Sequence, residues 1–159
     1  QLLKDYFINI IIQLNFNLEE HLYMEDTFIV LMLKDSKTGF FKEELCTLNI
    51  LELEKYVVNA FVFQENDELF VKLRLSTTED VEDWQFNAIY DYYDEKVLLK
   101  ESNEVKEVED CYNPTFEITF NYIEDINKLE EKFKRIVSLH KIELEDVQKV
   151  IDEHKEEYL

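Results

Sequence analysis

From Ile126 to Ile151 the chain repeats apolar residues at steps of three and four. Ile126, Leu129, Phe133, Ile136, Leu144, Val147 and Ile151, with His140 in the same series, fall on one helical face. That spacing predicts an amphipathic helix. No Gly or Pro interrupts it, so one long helix is allowed, as is a bend or break near His140–Ile142. Such a stripe must be buried against another element. The preceding residues supply one, because their period is two. Leu69, Val71, Leu73 and Leu75 alternate with Phe70, Lys72, Arg74 and Ser76, the pattern of a half-buried strand with one basic, wet face. After Pro114, Phe116, Ile118, Phe120 and Tyr122 alternate with Glu117, Thr119 and Asn121. The fold class is therefore α+β: an antiparallel β-meander of about five strands packed against C-terminal helices.

The other strands are less regular. Phe28–Leu33 is a continuous apolar run, the pattern of a strand buried on both faces. A second cover for the sheet is then required: the 79–93 segment, sheet curvature or another subunit. Residues 35–39 read as a turn, with Gly39 free to take positive φ. A strand lies within Phe40–Leu51 and another within Tyr56–Gln64, and residues 65–68 form a hairpin connection. These strands and Leu69–Ser76 make the four-stranded meander. Residues 97–113 are irregular and charged, with room for one short strand.

Between the alternating strands lies Glu79–Tyr93, where both periods fit. As a strand, Trp84, Phe86, Ala88, Tyr90 and Tyr92 share a face. As a helix, Val81, Trp84, Ala88 and Tyr92 do. Thr77 or Thr78 as N-cap, followed by acids in the first turn, decides for helix.

Composition bounds the function. The chain has one Gly, so neither glycine-rich phosphate loop can be built. The net charge is −20. Such a field opposes direct nucleic-acid binding, which needs Lys and Arg to displace counterions, and anionic membranes. It suits basic partners. Cys46 and Cys111 form no paired pattern and read as free thiols in a reducing, cytoplasmic setting.

In residues 1–23, Asn9, Gln13 and Asn15 interrupt the apolar run, and no small-residue cleavage site follows. The segment is neither a signal peptide nor a membrane span. Glu19-Glu20 can be encoded by a purine-rich ribosome-binding sequence shortly before the Met24 codon. We read 1–23 as translated upstream sequence or an N-terminal extension, and 24–159 as a single α+β domain. The alternative for 1–23 is an amphipathic helix on Leu3, Phe7, Ile10, Ile11 and Leu14.

Three segments carry a resemblance: VLMLKDSKTGF from Val30, LRLSTTEDVEDWQFNAIYDYYD at Leu73–Asp94, and DCYNPTFEITF at Asp110–Phe120. They resemble an uncharacterised domain-of-unknown-function family of short proteins from anaerobic Gram-positive bacteria. The likeness spans Met24 to the C-terminus. It implies no activity and no site residue.

Glu79–Glu95 is where a functional surface is expected. It holds Glu79, Asp80, Glu82, Asp83, Asp91, Asp94 and Glu95, five aromatics and no basic residue. As a helix it sets Phe86, Tyr90 and Tyr93 among acids, opposite the core face. Exposed aromatics often carry binding energy. We expect a non-catalytic protein-interaction module, with Trp84, Phe86, Tyr90, Tyr93 and Asp94 as the partner-binding residues and no cofactor. The partner is an unidentified protein, for which the negative charge favours a basic one, and a homodimer through the C-terminal helices is a further option. One alternative is a small metal-assisted hydrolase using Asp83, Asp91 and Asp94. Another is a nucleic-acid mimic that inhibits a basic protein. His140 and His154 have no zinc-ligand spacing. His140 is expected at the edge of a helix interface.

Overall fold

In the computed structural model, which describes residues 28–159, the two cleanly alternating segments lie side by side. β4 (Glu68–Ser76) pairs antiparallel with β6 (Thr115–Asn121), with Val71 opposite Phe120 and Leu73 opposite Ile118. The readings of residues 1–23 and of Met24 as the start fall outside the described residues. The other strands are β1 (Phe28–Lys34), β2 (Phe41–Asn49), β3 (Val57–Glu65) and β5 (Glu104–Glu107). Together they form one sheet in the order β2-β1-β3-β4-β6-β5. The α+β expectation holds, with six strands rather than about five.

The expected four-stranded antiparallel meander is not formed, because β3 lies beside β1 rather than β2; the sheet is antiparallel except at that join. β1 runs parallel to β3, through Leu33 opposite Val62 and Lys34 opposite Phe63. The chain leaves β2 at the sheet edge and passes β1 through residues 50–56 to reach β3. Leu51 and Glu52 take positive φ there (35° and 32°), and a 3-10 turn at Leu53–Tyr56 follows. Neither residue is Gly, so this crossing holds local backbone strain.

Two short helices precede the long one. α1 (Asp83–Tyr92) and α2 (Lys96–Leu99) are followed by α3 (Ile126–Glu153), unbroken for 28 residues. Asp125 caps α3, its Oδ1 accepting the N–H groups of Asn127 and Lys128 at 3.0 and 3.2 Å. Most of the helical stripe is buried as its spacing predicts, with Leu129, Phe133, Ile136 and Ile151 inaccessible to solvent; Val137 beside it is buried too, whereas Ile126, in the first turn, is 49% exposed and Leu144 is half-buried. Across from it lie Leu31, Leu48, Val62, Val71, Leu73, Leu75, Phe116, Ile118 and Phe120. Phe133 meets Phe120 edge-on, with ring centroids 6.1 Å apart. Each such side chain contributes roughly 1.5–3 kcal/mol by leaving water.

α1 starts four residues later than its caps predicted. Neither Thr77 nor Thr78 is the N-cap; that residue is Glu82, whose N–H donates to Gln85 Oε1 at 2.9 Å. The reason is tertiary. Asn113 accepts the N–H of Val81 at 3.1 Å and donates to Asp80 at 3.0 Å. Thr77 Oγ1 donates to the Glu79 carbonyl. These bonds hold 77–82 out of a helical path.

β1 is also corrected. It is buried on one face: Leu31 is inaccessible, whereas Phe28 and Val30 are 50% and 44% exposed. The outer face instead shields itself in part with aromatic rings and lysine stems. Phe63 stacks on Phe70 at 5.7 Å, and Phe61 lies 6.4 Å from both Phe41 and Phe63. Lys34 and Lys72 place their ammonium groups over Phe61 and Phe63, at 4.6 and 5.3 Å. Long cationic side chains cover apolar surface in this way while their charge stays in water. Lys72 and Arg74 keep the basic face expected of β4 and pair with Glu117 at 3.0 and 2.8 Å.

Candidate functional site

The five residues expected to bind a partner separate into three environments. Trp84 and Tyr93 are core residues at 9% and 7% exposure. α1 turns Trp84, Ala88 and Ile89 inward, and its end carries Tyr93 onto Phe116, ring centroids 3.9 Å apart and nearly parallel. Burial corrects the expectation that Tyr93 lies on the outer side of the helix. Tyr93 stands just past the end of α1, in extended backbone, so helical spacing does not set its direction.

Tyr93 belongs to a closed polar chain inside the core. His140 Nε2 lies 2.9 Å from the carbonyl of Ser76, and its Nδ1 lies 2.8 Å from the Tyr93 hydroxyl. A carbonyl only accepts, so Nε2 carries the proton and Nδ1 accepts from Tyr93. His140 is fully buried within the helix–sheet interface rather than at its edge, against the end of β4. Burial lowers its pKa to about 4, although the Ser76 carbonyl favours the charged form. Burial also raises the Tyr93 hydroxyl well above its ordinary value, assisted by Glu143 and Glu95. Both groups are neutral, satisfied and remote from solvent. This chain is structural.

Asp94 is exposed, and its contacts are within the domain. Its N–H donates to Glu143 at 2.9 Å, and its Oδ1 accepts the Lys96 N–H at 3.1 Å. It pins the start of α2 to α3. Asp91 accepts from the Tyr158 hydroxyl at 2.8 Å; that bond pushes the Tyr158 pKa up to about 12. Among the described residues no group of three or more His, Cys, Asp or Glu side chains is placed to hold a metal ion. Asp83, Asp91 and Asp94 are thus not brought together as such a group. Cys46, buried, and Cys111, half-buried, are free thiols, and burial raises the pKa of Cys46.

Phe86 and Tyr90 remain. Four residues apart on α1, they meet edge-on with ring centroids 5.3 Å apart, and both are half-buried. The Tyr90 hydroxyl accepts the Thr115 N–H at 2.9 Å and donates to the Val108 carbonyl at 3.1 Å. That clamps α1 to the β5–β6 connection. The two rings line a cavity of about 400 Å³ whose opposite wall is Glu107, Val108, Glu109 and Asp110. None of these three acids forms an ion pair with a described residue. Their field is felt nearby. Burial chiefly raises the pKa values of Glu95 and Tyr90, and the charge of Glu107 adds to both. The sequence offered the aromatic half of this cavity. It gave no sign that the acids at 107–110 would face it, since only the β5–β6 pairing brings that connection across to α1.

A family of unknown function, DUF6762, matches residues 24–159. The chain belongs to that family. DUF6762 has no assigned activity, in keeping with the resemblance noted from the sequence. No curated protein and no solved structure matches the chain. No described helix is long and apolar enough to cross a membrane.

Proposed function

We propose that this DUF6762 domain is a cytoplasmic protein-interaction module that receives a basic segment of a partner at the Phe86–Tyr90 cavity. The supporting observation is the pairing of two anchored rings with three carboxylates that form no ion pair among the described residues. A lysine or arginine entering there meets aromatic faces and acidic oxygens together. Cation–π contact contributes about 0.5–2 kcal/mol, and charge-assisted hydrogen bonds are roughly twice as strong as neutral ones. Phe86 and Tyr90 are the binding residues retained from the acidic-aromatic segment. Trp84 and Tyr93 support them from the core, and Asp94 acts at the far end of α1.

The test is a titration of ¹⁵N-labelled protein with hexalysine, repeated with Phe86→Ala and Glu109→Gln. Amide shifts concentrated at 86–90 and 107–110, weakened by each substitution and by salt, are expected. Shifts spread evenly over the acidic surface, and unchanged in both variants, would reduce the interaction to bulk charge and end this reading.

A further inference from the structure

A second cavity has the opposite charge. It measures about 480 Å³ and lies between the 3-10 turn at Leu53–Tyr56 and the middle of α3. Lys134, Ser138 and Lys141 line it from α3, at positions i, i+4 and i+7, so one helical face presents all three. Lys55 joins them from the turn, its ammonium 5.8 Å from the ring centre of Tyr56. Leu51, Leu53 and Tyr56 supply apolar surface, and Glu52 is the one carboxylate in the lining.

Lys134 pairs with Glu130 at 3.1 Å. Lys55 and Lys141 form no ion pair with any described residue. Glu52 in the lining and Glu130 on Lys134 offset part of this local charge, and Lys55 and Lys141 remain. At physiological salt, exposed charges beyond about 8 Å are largely screened, so an incoming ligand senses the lysines at hand. The cavity is also well supported. Tyr56 packs edge-on against buried His140 at 6.0 Å, and His140 is itself held by Tyr93 and Ser76. The strained residues Leu51 and Glu52 form part of the rim. Its volume falls in the range of small-molecule sites, roughly 300–1,000 Å³.

We infer that this cavity binds a small organic anion, a phosphate or carboxylate group on a flat apolar body. The head group meets the lysine ammonium groups and the Ser138 hydroxyl. The body lies on Tyr56 and the leucines. This site is separate from the Phe86–Tyr90 cavity and does not depend on it.

Calorimetry with phenyl phosphate, benzoate and neutral benzyl alcohol tests the inference, using wild-type protein and the variants Lys55→Met and Lys141→Met. Methionine keeps most of the apolar stem, and circular dichroism confirms folding. One of the two anions is expected to bind one-to-one while the alcohol does not, and the better anion identifies the head group. Each lysine substitution is expected to weaken binding about tenfold, the effect of losing roughly 1.4 kcal/mol. A Ser138→Ala variant provides a second readout, with a smaller loss. Absence of binding by both anions at millimolar concentration overturns the site. Binding unchanged in both lysine variants overturns it equally.

Discussion

The two faces of the sheet come from the same strands and are stabilised by different means. The inner face is apolar throughout its centre and is closed by α3, so Val71, Leu73, Leu75, Phe116 and Ile118 are all inaccessible. The outer face sets phenylalanines beside Lys34, Lys72, Arg74 and Glu117, where rings lie under ammonium groups and ion pairs stay partly wet. Inside, stability rests on close packing, and any void is costly. Outside, it rests on partial shielding and short-range charge, which tolerate change. An apolar run such as Phe28–Leu33 therefore does not prove that both faces of a strand are closed.

The largest expected effect lies inside. Phe116 packs against Tyr90, Tyr93 and His140, so Phe116→Ala should cost about 3–5 kcal/mol in urea unfolding. A loss below about 1 kcal/mol would mean that the inner face is loosely packed, and the contrast would collapse.

Acid should act on the same face. The folded-state pKa of His140, about 4, lies below the ordinary 6.5. The unfolded chain therefore takes up the proton first. The stability held by neutral His140 is complete above pH 6.5 and is lost as pH falls from there towards about 4. The loss is on the order of 3 kcal/mol. Urea midpoints from pH 7.5 to 4.5 measure it, and a flat profile through that window would show that His140 is not sealed from water.

Outer-face changes should be smaller. Burial opposes ionisation of Glu117, but its bonds to Arg74 and Lys72 prevail and hold its pKa below the ordinary value. Glu117→Gln weakens both pairs, and a loss of about 1 kcal/mol is expected, shrinking in high salt. Smallest of all, Val30→Thr should change stability by no more than about 0.5 kcal/mol. A loss as large as that at Phe116 would show that this face is covered in solution.

Legibility in the sequence followed periodicity. β4, β6 and the buried stripe of α3 were readable because each keeps a single period over several residues. The continuity of α3 was permitted by the lack of Gly and Pro and was decided by packing along the sheet. Glu79–Tyr93 fitted two periods, and the assignment to helix rested on a threonine cap that is not used. Asn113 sets the true start at Asp83, through bonds that cross 32 and 33 residues of chain. Of the acidic-aromatic residues, Phe86 and Tyr90 reached a cavity. Trp84 did not, because it lies on the inward face that the helical period assigns to it, and Tyr93 did not, because the direction of a side chain past a helix end depends on the backbone there.

By itself, then, the amphipathic periods of the sequence determined an α+β domain with C-terminal helical structure laid on a sheet, and packing made that structure one continuous helix. One glycine and a strongly negative charge narrowed the chemistry. Tertiary structure alone decided that β3 runs parallel to β1, that the outer face stays open, and that Tyr93 and His140 close a buried polar chain. It also decided where charge matters. The acids at 107–110 face Phe86 and Tyr90, and Lys55 faces Lys134 and Lys141, because strand pairing and a chain crossing bring distant segments together. A sequence lists its charges, but their field depends on distance, and only the fold sets those distances.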